Sequence, residues 1–477
     1  MGSGNGADAS NPETGDPGSD FVPFERKMLA EGLPDVAIRS FHHYYEQLRS
    51  GATGMLSRAE IEPVANVPSA ASLSGTRAAG EAALAATVVI KLNGGLGTSM
   101  GMTRAKSLLV VKGDLSFLDV IALQLRELRK RSGCAVPLVL MNSFRTREDS
   151  QAALARHGPL SADLPPDFLQ HKVPRILAAD LTPVSWPDQP SYEWCPPGHG
   201  DIYAALVTSG MLETLLERGF RTAFVSNADN LGAFLDLEIL GWFVSEGAPF
   251  AMEVKQRTEA DRKGGHLARL SDGRLTLREI AQCPEDERES FEDVEFYRYF
   301  NTNNLWVDLQ ALSRALEVSD SVLALPMIRN DKTVDPEDPT SPGVVQLETA
   351  MGAAISCFDD ARALVVPSSR FAPVKTTGDL LAVRSDAYLL ADDYRILPAP
   401  GGEAEKMVID LDDAFYKTVS TLEERFPHGP PSLLGCRRLT VRGDVRFGRG
   451  VVVGGEVRLD AEPGTRLEIE DGALLQG

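Results

Sequence analysis

The sequence predicts an α/β protein, with a mixed, mostly parallel sheet flanked by helices and a short β-helix at the carboxyl end. Two patterns carry that prediction. Beyond Arg77, short apolar, β-rich runs alternate with helical stripes, and in the carboxyl-terminal stretch apolar pairs recur every six residues. Residues 1–20 hold Gly, Ser, Asp, Asn and Pro with almost no apolar content, so they are expected to form a disordered tail that buries too little surface to offset ordering entropy. Residues 21–85 read as an N-terminal helical segment, because Phe41, Tyr44, Tyr45 and Leu48 fall at helical spacings between Phe24 and Gly51. Residues 86–395 form the main domain. Its buried strands are expected at Thr87 to Leu92, Val136 to Met141, Thr222 to Ser226 and Phe250 to Val254. Between the first two, Leu115, Leu118, Ala122, Leu125 and Leu128 make one helical stripe, and strand, helix, strand implies right-handed crossovers and parallel pairing. Residues 396–477 form the last unit. The pairs Leu439/Val441, Val445/Phe447, Val451/Val453 and Val457/Leu459 keep a hexapeptide period, with Gly443, Gly450, Gly454 and Gly455 between. That period favours a β-helix over an antiparallel meander, which has no reason to keep it.

Composition narrows the function classes. A chain of 477 residues with 43% hydrophobic and 24% charged residues is large enough for two or three domains and is ordinary for a globular protein. Acidic residues number 68 against 48 basic, a formal charge of -20, which repels nucleic acid and anionic lipid at long range. Neither is an expected partner, and cations that hold an anionic ligand must be concentrated locally. The longest apolar stretch, around Ala82 to Ile90, is far short of the ~20 residues that cross a bilayer, and no leader pattern opens the chain, so a cytoplasmic location is expected. Cys134, Cys195, Cys283, Cys357 and Cys436 form no Cys-x-x-Cys pair, which argues against a disulfide framework or a structural zinc site.

Chemistry concentrates in a few segments. Val88 to Leu92 runs into Asn93-Gly94-Gly95-Leu96-Gly97-Thr98-Ser99-Met100-Gly101, followed by Arg104 and Lys106. Glycines there allow backbone N–H groups to approach a base or phosphates. The spacing is neither that of a P-loop nor Gly-x-Gly-x-x-Gly, which demotes an ATPase and a Rossmann oxidoreductase. Pro196 to Tyr203 pins His199 between two glycines before a helical stretch that Asp201 could cap, so His199 is expected exposed at a helix start, where anions bind. Thr222 to Ser226 ends in Asn227-Ala228-Asp229-Asn230. Ligands of open α/β sheets sit beyond the carboxyl ends of strands, so Asp229 reads either as a metal ligand or as an Asx-type cap. Asn301, Asn303 and their neighbours set amides beside aromatics, a composition suited to sugar hydroxyls, and Phe371 to Thr377 offers Lys375 behind a stiffening proline. Gln170, ahead of Lys172 to Ile176, is uninformative by itself.

Together and in this order, these segments resemble the eukaryotic-type UTP–glucose-1-phosphate uridylyltransferases, from about Phe24 to the carboxyl end. Lys91 to Gly101, Trp194 to Tyr203, Phe224 to Gly232, Met252 to Gly265, Phe300 to Trp306, Val345 to Ile355 and Phe371 to Leu381 carry the likeness. The resemblance implies a Rossmann-like nucleotidyltransferase domain, a left-handed β-helix at the carboxyl end, dependence on Mg²⁺ (Mg2+), and UTP and glucose 1-phosphate as substrates. It further implies that Leu92, Asn93, Gly94 and Gly95 hold uracil and ribose, that Gln170 and Gly198 read the uracil, and that Lys106 and Lys375 contact the reacting phosphates. His199 would touch the sugar phosphate. Asn227, Ala228 and Asp229 would line the ribose and sugar side with Asp229 on the metal, while Asn301 and Asn303 would face glucose hydroxyls. Ala228 stands where the family often has isoleucine and Cys195 where it often has tyrosine. The β-helix looks short, which bears on whether a homo-oligomer forms through it. Relatives acting on N-acetylhexosamine 1-phosphate tend to carry Thr-Arg-Leu-Gly where this chain has Thr98-Ser99-Met100-Gly101, which favours glucose. A catalytically silent binder or scaffold would be expected to lack Asp229, Lys106 or Lys375, yet all three are present.

Overall fold

The computed structural model describes residues 20–402, 404 and 407–477, with the side chain of residue 260 left out. The expected tail at 1–20 therefore lies outside the described residues except for Asp20. The helical segment predicted from Phe24 to Gly51 is two helices, α1 (Val22–Ala30) and α2 (Asp35–Arg49). They part at Gly32, whose φ of 74° is left-handed, and at the extended Pro34. Phe24, Phe41, Tyr44, Tyr45 and Leu48 form a buried aromatic cluster, as their spacing requires.

The central sheet has ten strands. In chain order they are β1 (Ile61–Pro63), β2 (Thr87–Asn93), β3 (Leu138–Asn142), β4 (Asp167–Leu169), β5 (Thr222–Asn227), β6 (Phe250–Gln256), β7 (His266–Leu270), β8 (Leu275–Arg278), β9 (Tyr299–Asp308) and β10 (Arg362–Val365). The sheet is mixed. Strands β4, β3, β2 and β5 lie side by side in parallel, the core of the predicted alternation, whereas β9 pairs antiparallel with β5, β6 and β7. β1 joins this same sheet through β7, so the N-terminal segment is built into the main domain. The helix α3 (Arg77–Ala83) precedes β2. The predicted stripe, apart from Leu115, which lies in a short strand ahead of it, is α4 (Phe117–Ser132), which opens on a capping box of Ser116 with Asp119 and stops at Gly133, left-handed at φ 71°. Val88 and Ile90 face one core and Val89 faces the other, against α4 and α5 (Leu237–Glu246), so β2 is apolar on both sides.

At the carboxyl end, β11 (Val408–Leu411), β12 (Ser432–Arg442), β13 (Asp444–Phe447), β14 (Val452–Asp460), β15 (Arg466–Ile469) and β16 (Leu474–Gln476) stack as successive rungs. All of their ladders are parallel, with Leu439 opposite Val457, Val445 opposite Leu467 and Val453 opposite Leu475. An antiparallel meander is excluded. The inward Leu439, Val441, Val445, Phe447, Val451 and Val453 are buried in one cluster that continues into Met100, Val111 and Phe117 of the main domain.

Candidate functional site

The site is assembled where β2, β3 and β5 end at one edge. Leu92 is in register with Asn227, and Asn93 with Asn142. The Ala228 N–H donates to the Leu92 carbonyl at 2.9 Å, which holds the two outgoing loops together. The loop after Asn93 turns through Gly97 and Gly101, left-handed at φ 66° and 73°, and closes where the Lys106 N–H donates to the Gly95 carbonyl at 3.0 Å. Gly94 is a glycine for a steric reason: a Cβ there would lie 2.4 Å from Gln170 Oε1. The side chain of Gln170 is thus laid across the glycine turn, and the residue's backbone N–H donates to the Asn142 carbonyl at 2.8 Å.

From that loop Lys106 reaches across to β5, and its Nζ donates to Asp229 Oδ2 at 2.7 Å. Both side chains remain partly open to solvent, 16% and 29%. Asp229 does not cap the following segment through this oxygen; it meets a cation. The chain from Phe371 to Lys375 lies along the same turn. The Leu231 N–H donates to the Ala372 carbonyl, and the Val374 N–H to the Asp229 carbonyl, both at 3.3 Å. Lys375 is therefore delivered beside Asp229, exposed, with its backbone fixed by Asp379 Oδ2 at 2.8 Å. Burial pushes the carboxyl of Glu279 up, and the charge of Lys375 partly opposes that shift. Lys106 and Asp229, far apart in sequence, thus meet side chain to side chain, and the backbone of the segment that ends in Lys375 lies against the same turn.

Two expectations need correction. His199 is half-buried, not exposed. Its Nδ1 accepts the Met351 N–H at 2.8 Å, and burial pushes its pKa down to about 4. The ring is consequently neutral, with its proton on Nε2. Asp201 does not cap the helix at Ile202–Thr208. It accepts the His171 N–H at 2.7 Å and faces the ring Nδ1 at 2.8 Å, which anchors the turn carrying Gln170. The side chain of Asn93 is buried, and its Nδ2 donates to Asn142 Oδ1 and Ser150 Oγ, both at 2.7 Å. Asn301 and Asn303 also bond one another, Nδ2 to Oδ1 and N to Oδ1 at 2.8 Å each, across an irregularity in the β6–β9 pairing. Asn303 is left-handed there, φ 57°. Gly198, at φ 80°, packs so tightly on the strand Gly343–Thr349 that a Cβ would sit 2.4 Å from the Thr349 carbonyl.

Residues that the motifs did not single out hold this arrangement. Asn230 uses its whole amide: Nδ2 donates to Asn304 Oδ1 at 3.1 Å and to the Arg370 carbonyl at 3.2 Å, and Oδ1 accepts from the N–H groups of Gly232 (3.1 Å) and Ala372 (2.9 Å). It pins the Lys375 segment to the Asp229 turn. Beneath it Arg370 is bidentate on Glu253 at 2.7 Å, both almost wholly buried, and Trp306 and Asn304 donate to the same carboxylate. Lys91 Nζ donates to Ser226 Oγ at 2.7 Å and to the Ala233 carbonyl at 2.6 Å, bracketing the turn from below. Adjacency to Asp229 was the only sequence signal for Asn230; a lysine inside an apolar strand was the signal for Lys91.

A family model described as UTP–glucose-1-phosphate uridylyltransferase matches residues 38–454. A protein of that name from Hordeum vulgare is 43% identical over 390 residues, covering 82% of this chain and 80% of the relative. One from Saccharomyces cerevisiae is 40% identical over 400 residues, 82% of this chain and 77% of the relative. Among solved structures, a mutant UDP-glucose pyrophosphorylase from Leishmania major in complex with UDP-glucose superposes with a TM-score of 0.90 at 42% identity, covering 96% of this chain and 98% of that one. A Trypanosoma brucei protein gives 0.89 at 43% identity, with the same coverage.

Proposed function

The chain belongs to the UTP–glucose-1-phosphate uridylyltransferase family, and from this premise we propose how its own residues perform the transfer. It is a nucleotidyltransferase that converts UTP and glucose 1-phosphate to UDP-glucose and pyrophosphate. A phosphate monoester has its second pKa near 6, so an oxygen of glucose 1-phosphate is already ionised at pH 7 and needs no general base. That oxygen attacks the α-phosphorus of UTP in line, forming the new P–O bond as the bond to pyrophosphate breaks.

The obstacle is the repulsion of two polyanions in a protein of net charge -20. Lys106 and Lys375 supply fixed positive charge where the phosphates meet. Uracil stacks along Leu92 to Gly95, within reach of the Gln170 amide and the backbone of Gly198. Asn227 and Ala228 line the ribose and sugar side, and Asn301 and Asn303 offer the edges of their paired amides to the glucose hydroxyls. His199, with Nδ1 occupied by Met351, presents Nε2–H as a donor to the sugar phosphate and shuttles no proton.

Among the described residues no cluster of three or more His, Cys, Asp or Glu could hold a metal unaided. One partly open carboxylate at the phosphate position fits Mg²⁺, which commonly takes one or two carboxylates and completes its shell with substrate phosphates and water. Asp229 would hold it, giving up Lys106 to the nucleotide. Bound there, the ion would supply positive charge that offsets the charge developing on the reacting phosphates.

The six-residue period supports a left-handed winding of the carboxyl-terminal coil. Its last strand, β16, leaves an edge open and Leu474 71% exposed, which supports a homo-oligomer through this end. The five unpaired cysteines suit a reducing cytoplasm.

The observation that carries the reading is the Lys106–Asp229 pair, set between the glycine turn and the Lys375 segment. Its test is pyrophosphate release from UTP with glucose, galactose or N-acetylglucosamine 1-phosphate, with and without Mg²⁺, by the natural chain and by Asp229→Ala. Glucose 1-phosphate with Mg²⁺ gives the fastest release, and Asp229→Ala folds but loses the metal-dependent turnover. An active Asp229→Ala enzyme indifferent to Mg²⁺ removes the metal from this residue.

A further inference from the structure

A cavity of about 520 Å³ lies on the other side of β2 from the site, between α3, α4 and the segment from Ala233 to Leu237. Neither Lys106, Asp229, Lys375, Gln170 nor His199 lines it. Its volume is that of a small-molecule pocket. About half of its wall is apolar, from Val89, Ile121, Leu125, Leu128, Leu138 and Phe224, and the other half is polar or charged.

Among the described residues, the charges around it leave one cation without a carboxylate. Glu81 pairs with Arg77, Glu127 with Arg131, and Asp393 with Arg395, while Asp236 accepts two N–H groups at the start of α5. Lys91 is the exception. It is 2% exposed, and the oppositely charged group that acts on it, Glu253, is already bidentate on Arg370. Burial, and after it the charge of Arg370, pushes the Lys91 pKa down to about 7. An ammonium has three N–H donors, and Ser226 and Ala233 take two.

We propose that this cavity is a regulatory site for a small amphipathic anion, an apolar ring system bearing a carboxylate or sulfonate that pairs with Lys91. The pairing reaches the active site directly. Lys91 immediately precedes Leu92, and its two acceptors flank the Asn227 to Asp229 turn. An anion that keeps this ammonium charged strengthens both bonds and tightens the loops around the nucleotide. By linkage, the effector and the nucleotide sugar raise one another's affinity by the same factor. This coupling rests on the uridylyltransferase reading; occupancy of the cavity does not.

The probe is 1-anilinonaphthalene-8-sulfonate, an apolar ring system with one sulfonate, titrated into the full chain by fluorescence. Expected is one saturable site, lost in Leu128→Trp, which fills the cavity, and weakened at least tenfold in Lys91→Met. Unchanged binding by Leu128→Trp overturns the site. Because Leu128 is on α4, away from the chemistry, Leu128→Trp keeps its basal rate and its melting temperature. Should it misfold, a bulky maleimide on Cys134, which lines the cavity, in a Cys357→Ser background serves as a second plug and must also abolish the signal. UDP-glucose is expected to tighten probe binding severalfold to a plateau, and the probe to tighten UDP-glucose equally. Full displacement of the probe by UDP-glucose would assign the probe to the active site and overturn the proposal. Saturable binding with no change in UDP-glucose affinity would overturn the regulatory role while leaving the catalytic reading intact.

Discussion

At the scale of single residues, the site divides into groups whose polar atoms remain open and groups that are already spent. Lys375 belongs to the first kind. Its side chain is exposed, so Lys375→Ala should leave the melting temperature unchanged and lower kcat by ~10²–10³, the usual effect of removing one charge-stabilising donor. Steady-state rates set beside a thermal melt check this, and a near-normal kcat would take Lys375 out of the site. His199 belongs to both kinds, spent at Nδ1 and free at Nε2. With a folded pKa near 4 against an ordinary 6.5, it is neutral across the working range, so kcat should show no His199 ionisation between pH 5.5 and 8. The same shift affects stability. Between about pH 6.5 and pH 4 the unfolded chain binds a proton that the folded one refuses, so stability falls as pH drops through that window and levels off below it. His266, whose pKa burial also lowers, adds in the same direction. Urea midpoints from pH 7 to pH 4 measure the loss, and His199→Gln should reduce it. Lys106 and Asp229 stood out in the sequence because each follows a strand or a glycine turn, and Lys375 because it stands just behind a proline. The occupation of Asn93 and the burial of His199 were not, because Ser150 and Met351 lie far along the chain from the groups they bind.

At the scale of elements, the decisive contact is between the turn after β5 and the segment from Phe371 to Lys375. Asn230 holds it through four hydrogen bonds. Asn230→Asp keeps the shape and turns two donors into acceptors facing Asn304 Oδ1 and the Arg370 carbonyl. The expected result is a loss of about 1–3 kcal/mol of stability for the buried groups left unsatisfied. A purely structural role would stop there. Misplacement of Lys375 should also lower kcat at least tenfold with little change in the KM for UTP, and unaltered kcat would refute the positioning role. The strands flanking this turn were legible from their apolar runs. The antiparallel half of the sheet was not, because the pairing of β9 with β5, β6 and β7 is set by packing between distant segments rather than by local periodicity. The break between α1 and α2 was present in the sequence as Gly32 and Pro34, but the aromatic stripe on either side masked it.

At the scale of the whole molecule, the carboxyl-terminal coil and the main domain share one apolar cluster. Met100, within the glycine loop, is buried in it together with Phe447 and Val453. Gly101 packs against Thr418, where a Cβ would lie 2.8 Å from its Cβ. The coil thus buttresses the glycine loop. Phe447, 2% exposed and stacked on Phe426 at 4.5 Å, is the test position. Phe447→Ala should cost about 3–5 kcal/mol, as large core truncations do. Because the core is shared, it should lower one common melting transition rather than split it in two, and calorimetry distinguishes the outcomes. The parallel coil was legible because a six-residue period leaves few alternatives. Its docking onto the glycine loop was not, since nothing in the repeat says which face meets the main domain.

A structure determined with UDP-glucose bound puts the convergence of scarce positive charge to its most direct test. Uracil should lie against Gly94 and Gln170, the diphosphate between Lys106, Asp229 and Lys375, and the sugar toward His199 and Asn301. A nucleotide sugar lodged away from both the glycine turn and Asp229 would contradict the assignment of this edge of the sheet as the site of transfer.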